Sequence, residues 1–387
     1  MPPAKRLAFI DLLRGWAVIV MIETHVVNAT LLPEIRESGP FELLNFINGL
    51  VAPAFLFASG LAYAVTTRRK AGAYLSFGFP LFQQLGRLLL VLLIGYGLHL
   101  PRFQIHKLLY EVEPGEWLVF FQADVLHCIA ITLLLLQILL LVLRTERRLY
   151  RAAAVIAACV LFATPVVWGY DFLNVFPAPI AAFMNGLHYS LFPLFPWSVF
   201  IFAGAIAGHL FAEGRAAAGE AGAAEFAALS VRRFALTGIM LIIISIPLMA
   251  LAWVYPTYNY WRFSPSFVLV RMGIVFLLCA LCYLYEQRKG VSASSPITLM
   301  GKESLVVYSA HLLLIYGKFL GFNFRTRVNH SFGYPEALLW SVILLLLMFV
   351  LASGWDRIKQ RGETWRRTGQ LVTLAMFVLV FFYGPKG

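Results

Sequence analysis

The chain has 387 residues, of which 60% are hydrophobic and only 13% charged, with a mean hydropathy of +0.79. A soluble domain of this size carries about twice that charge, so the composition excludes one and points to a membrane protein. The net charge of +12 does not indicate nucleic acid, because the basic residues gather at alternate ends of the apolar runs, as in membrane proteins that keep positive loops inside.

Eleven apolar runs of spanning length follow one another, at roughly 8–29, 43–66, 81–101, 118–143, 152–170, 193–212, 234–255, 265–286, 299–320, 336–355 and 368–384. The prediction is an all-α, polytopic membrane bundle of about eleven helices forming one domain over 1–387. The first run is read as retained rather than as a secretory signal, because Asp11, Arg14 and Glu23 interrupt its core. Lys5-Arg6, Arg68-Arg69-Lys70, Arg144 to Arg151, Arg232-Arg233, Arg288-Lys289 and Arg357 to Arg367 form one set of loops. Glu34, Glu37, Glu111, Glu113, Glu116 and Asp171 mark the other. The first set is expected in the cytoplasm, with the amino terminus inside and the carboxyl terminus outside an inner, cytoplasmic membrane. Arg325 and Arg327 are an exception on the outer side. The Ala-, Gly- and Glu-rich stretch 213–233 is expected to be a cytoplasmic connection between two parts of the bundle. The long apolar loop 171–192 is expected to be re-entrant or to lie along the outer surface.

Ionisable groups inside spanning helices are costly and are functional candidates by default. In the first run, Asp11, Arg14 and His25 fall within about 60° of one another around a helix, and Arg14 and His25 are about 16 Å apart along it. In the fourth run, Asp124 and His127 stand at i,i+3 on one helix face. In the ninth, Glu303 is placed shallow, at the cytoplasmic end, with Tyr308 and His311 deeper. His25, His127 and His311 are thus expected at similar depth, with Asp124 as their carboxylate. Bland roles compete with each: an Asp124–His127 pair that satisfies itself, an Asp11–Arg14 pair that fixes packing, a structural His311. The other histidines, His99 among them, are left outside the site. The four cysteines fit no zinc spacing and no metal is expected.

These residues also carry a resemblance. Asp11, Arg14-Gly15 and His25 resemble the first helix of the transmembrane acyltransferase superfamily, which includes the acyltransferase 3 proteins and the heparan-alpha-glucosaminide N-acetyltransferase-like proteins. Phe55 to Gly60, Asp124 to His127, Phe192 to Trp197 with Gly204, and Gly301 to Leu305 with Tyr308 and His311 are similar to further segments of that group in the same order. His25 follows the acyltransferase 3 branch, since no histidine occurs in 26–45.

The resemblance implies an acyl-CoA-dependent membrane acyltransferase, with acetyl-CoA as the donor by analogy, acting on a hydroxyl or amine of a glycan or glycolipid. It implies no tightly bound cofactor and is compatible with a homodimer. Arg14, with Asp11 holding it, would bind the donor, helped by Arg87 and by Tyr308. His25 would act as base or carry the acyl group. Asp124 would orient the imidazole, and His127, Tyr308 or His311 would donate hydrogen bonds to the oxyanion. The rival expectation is a proton-coupled transporter, weakened in the sequence by the lack of repeats and paired broken helices.

Overall fold

A computed structural model describes residues 7–255, 258–291, 295–317 and 323–383. Among these the chain is helical apart from turns and one isolated bridge between Leu31 and Phe332. It divides into two compact units, one of Met1–Val51, Leu100–Phe120 and Val291–Gly387, the other of Ala52–His99 and Phe121–Gly290. In chain order, α1 (Ala8–Thr30) and α2 (Gly39–Asn48) open the first unit, and α3 (Val51–Leu75) and α4 (Phe79–Leu98) begin the second. The first unit returns with α5 (Ile105–Tyr110) and α6 (Pro114–Phe120). The second resumes with α7 (Val125–Leu143), α8 (Glu146–Val167), α9 (Ala178–Ala181), α10 (Leu194–Ala218), α11 (Ala223–Ser245), α12 (Tyr260–Phe263) and α13 (Pro265–Lys289). The chain then completes the first unit with α14 (Pro296–Lys302), α15 (Ser304–Ile315), α16 (Phe324–Val328), α17 (Tyr334–Gln360) and α18 (Glu363–Tyr383).

The helix ends follow local chemistry. Proline stands in the first turn of α2, α4, α13, α14 and α17, where its missing N–H costs nothing. Thr145, Ser264 and Ser295 cap the free N–H groups of α8, α13 and α14 with their hydroxyls. Gly290 closes α13 in the left-handed region.

Among the described residues, eight helical stretches are long and apolar enough to cross a membrane: Gly39–Leu75, α4, α7, α8, α10, Ala223–Trp253, α13 and α17. The chain is therefore a multi-pass membrane protein. The other three expected spans differ in kind. Helix α1 carries three charged residues, Asp11, Arg14 and Glu23. The run 299–320 is split at Glu303 into α14 and the twelve-residue α15. Helix α18 opens on Glu363, Arg366 and Arg367. Two anchors of the expected orientation, Lys5-Arg6 and the terminal Gly387, lie outside the described residues. The expected connection at 213–233 is mostly helix: α10 runs to Ala218, α11 starts at Ala223, and both belong to the second unit. Segment 171–192 is a chain of short turns pinned by hydrogen bonds from Leu191 and Phe192 N–H to the Ala123 carbonyl.

In the first unit, α1 packs on α14, α15 and α17. The tightest approach is made by two glycines. A Cβ on Gly15 would lie 1.9 Å from the Ile297 carbonyl oxygen, and one on Gly301 would lie 1.9 Å from that of Asp11. No larger residue fits either place, so the Arg14-Gly15 and Gly301-Lys302-Glu303 segments are locked backbone to backbone. In the second unit the same device recurs. Gly60 of α3 meets the Ile201 carbonyl, while Gly204 and Gly208, one turn apart on α10, meet the carbonyls of Phe57 and Leu61. Gly238 of α11 and Gly273 of α13 face each other.

Candidate active site

Helix α1 presents the first group of polar residues. Asp11 is buried, and Arg14 and His25 are half-buried. The His25 ring lies 5.2 Å from that of His311 on α15, centroid to centroid and tilted by 45°. Tyr316, which caps α15, stands edge-on to His25 at 5.7 Å and donates its hydroxyl to the His25 carbonyl at 3.0 Å. Tyr308, one turn before His311, packs edge-on against it at 5.8 Å. The first unit therefore brings together three residues singled out in the sequence, His25, Tyr308 and His311.

The tautomer of His311 follows from its surroundings. Its Nδ1 lies 2.8 Å from the Val307 carbonyl, an acceptor, so Nδ1 carries the proton and Nε2 is the basic nitrogen. A neutral His311 in this state offers a lone pair at Nε2. That suits a proton acceptor beside His25 better than the oxyanion donor expected from the sequence. Tyr308 carries a hydroxyl, which is able to donate.

Helix α14 and its continuation are tied to α17 by two crossed ion pairs. Lys302 meets Asp356 at 2.5 Å, and the buried carboxylate of Glu303 meets Lys359. Glu303 thus sits at a helix break as a tether, and the break makes α15 begin immediately before the Tyr308–His311 turn.

The second unit holds Asp124 and His127, in a different arrangement from the expected helix face. Asp124 is the N-cap of α7: its Oδ1 accepts from Val125 N–H at 2.7 Å, and His127 Nδ1 accepts from Asp124 N–H at 3.2 Å. The reason is general: the first N–H groups of a helix need acceptors, and a carboxylate just before the first turn supplies one. The run 118–143 is consequently broken at 121–124. Because Nδ1 of His127 is an acceptor, its proton is on Nε2, which is buried with no hydrogen-bond partner among the described residues. The ring is held by Tyr96 at 4.3 Å and fits because position 95 is glycine, where a Cβ would come within 2.8 Å of it.

His99 completes this cluster. Its Nε2 is 3.4 Å from Asp124 Oδ2, its Nδ1 is 2.7 Å from Gln122 Nε2, and its ring stacks on that of His127 at 5.9 Å. The amide of Gln122 is a donor there, so His99 accepts at Nδ1 and donates from Nε2 to Asp124. Sequence reasoning left His99, Gln122 and Tyr316 out. Gln122, a polar residue two positions before Asp124 in an apolar run, carried a signal of its own; His99 and Tyr316 carried none. Arg87 is exposed on α4, electrostatically near Tyr74. Among the described residues no three His, Cys, Asp or Glu side chains gather as a metal site would require.

Residues 6–244 match the family described as heparan-alpha-glucosaminide N-acetyltransferase, catalytic. The chain belongs to this family. The match covers well over half of the chain and includes Asp11, Arg14, His25, Arg87, His99, Asp124 and His127, and it ends before Tyr308 and His311. No individual curated protein matches the chain. Membership makes it a transferase of the acetyltransferase kind, embedded in the membrane by its multi-pass helical body.

Proposed function

We propose that the chain transfers an acyl group, acetyl as the family suggests, from acyl-CoA to a hydroxyl or amine on a glycan or glycolipid acceptor, with His25 as the base. The observation that carries this reading is the His25–His311 pair, with Tyr308 beside it and Arg14 on the same helix as His25. His25 takes the proton from the acceptor as its oxygen or nitrogen bonds to the thioester carbonyl carbon. The carbon–sulfur bond then breaks, and the thiolate recovers the proton from the imidazolium. Nε2 of His311 is a second basic nitrogen next to that proton. Tyr308 donates to the oxyanion of the tetrahedral intermediate. Arg14, backed by the buried Asp11, holds the anionic part of the donor, and Arg87 adds to the field that attracts it. Asp124, His127 and His99 form a second group of titratable residues, within the second unit.

Full-length protein in proteoliposomes, given acetyl-CoA labelled in the acetyl group and a glycolipid extract, should release free CoA and label the glycolipid. Arg14→Ala should raise the KM for acetyl-CoA about tenfold or more, the loss of one charge-assisted contact, with a smaller change in kcat. An unchanged KM removes Arg14 from the donor site.

A proton-coupled transporter is the second reading, favoured by the breaks at 121–124 and at Glu303, which place titratable groups at interrupted helices. It predicts solute flux into sealed vesicles without any cleavage of a thioester.

A further inference from the structure

Just beyond the C-terminal end of α1, the first unit carries positive charge that acyl transfer does not use. Arg36 lies in the single turn Pro33–Glu37 that follows α1, and Arg325 lies in α16. Nη2 of Arg36 donates to the Asn28 carbonyl at 2.9 Å and stands 3.0 Å from Nδ1 of His330. A guanidinium cannot accept, so Nδ1 of His330 does, and its imidazole is a brace for Arg36. Burial, then Arg36, then Arg325 hold the His330 pKa below its ordinary value, and Asn329 N–H bonds the Arg325 carbonyl at 2.8 Å, which keeps Arg325 about one turn from His330 along the chain. Asn329 and His330 hold φ of 45° and 56°, a region that non-glycine residues rarely occupy, and this backbone turns the imidazole to Arg36. Arg325 in turn lies 5.9 Å above the ring of Tyr316.

Like charges brought together in this way repel unless an anion offsets them. Among the described residues neither Arg36 nor Arg325 pairs with a carboxylate. Glu34 and Glu37, which flank Arg36 on its turn, are exposed. Nε of Arg36 is buried and has no hydrogen-bond partner among the described residues. Arg325 also stands out in sequence, since with Arg327 it breaks the charge pattern of the loops.

We propose that Arg36 and Arg325, with His330 holding Arg36 in position, form a binding site for a phosphate group. Planar guanidinium forks match the oxygens of a tetrahedral oxyanion and are only weakly hydrated themselves. The phosphate arrives either as the phosphodiester of a bilayer lipid or as a phosphate ester on a soluble molecule. The site is independent of the His25 chemistry, although Tyr316, under Arg325, is bonded to the His25 carbonyl.

The full chain is reconstituted in discs of phosphate-free digalactosyl diacylglycerol. One arm adds phosphatidylglycerol and reads lipid retention by native mass spectrometry. The other adds sn-glycerol 3-phosphate and reads the thermal midpoint. Retention of phosphatidylglycerol identifies a lipid source, and a raised midpoint with glycerol 3-phosphate identifies a soluble one; either supports the site. Arg325→Gln, at an exposed residue, should weaken the effect about tenfold, and Arg36→Lys should weaken it while keeping the charge. No binding in either arm, or binding that Arg325→Gln and the Arg36→Gln/Arg325→Gln pair leave unchanged, overturns the proposal.

Discussion

At the scale of single residues, hydrogen-bond partners decide what each histidine offers. His311 gives its Nδ1 proton to Val307 and keeps a basic Nε2, whereas His127 accepts at Nδ1 and keeps its proton on Nε2. The two rings are therefore not interchangeable, although both are single histidines in apolar runs. Asp124 caps α7, and one pair of variants separates that role from the one proposed for it in acyl transfer. Asparagine is as good an N-cap as aspartate but carries no charge. Asp124→Asn should keep the thermal midpoint close to wild type while lowering kcat, and Asp124→Ala should in addition lose about 1 kcal/mol of stability. Full activity in Asp124→Asn would reduce Asp124 to a cap. The candidate residues themselves were legible in the sequence, because charge inside an apolar run is conspicuous. Their partners were not. His99 reaches Asp124 only because α4 ends beside the start of α7, and such a meeting leaves no trace in spacing along the chain.

At the scale of elements, small residues and helix breaks place the site. The motif glycines Gly15 and Gly301 are packing residues: each allows one backbone to touch another, and this contact fixes α14, and so the start of α15, against α1. Gly301→Ala should destabilise the protein by at least about 1–3 kcal/mol and lower acyl transfer. The thermal midpoint and the specific activity of the variant check this together, and a wild-type midpoint would contradict the close approach. The crossed pairs behind the break lend themselves to a cycle. Lys359→Met strands the buried Glu303 carboxylate and should cost roughly 1–3 kcal/mol, while adding Glu303→Gln should restore much of it. Additive losses in the double variant would show that the pair is not coupled. Most helix positions were legible, since apolar runs of spanning length are the strongest signal a sequence carries. The breaks at 121–124 and at Glu303 were hidden inside such runs. A cap bond marks the first and two ion pairs with α17 flank the second, and periodicity registers neither.

At the scale of the whole molecule, composition alone gave the membrane class, and the family match over residues 6–244 makes the chain an acetyltransferase of the heparan-alpha-glucosaminide N-acetyltransferase kind. Division into two compact units was not legible, because each unit is assembled from separate stretches of chain and the sequence has no composition shift at their boundaries. The stretch 213–233 looked like such a boundary, yet it joins two helices of one unit.

The central claim is that His25 is the base in acyl transfer. Its direct test is the initial rate of labelled acetyl transfer from acetyl-CoA to membrane glycolipid by full-length protein in proteoliposomes, wild type against His25→Ala, at equal folded protein and saturating donor. The account predicts a loss of about a hundredfold or more with acetyl-CoA binding retained. Transfer at the wild-type rate by His25→Ala would contradict it.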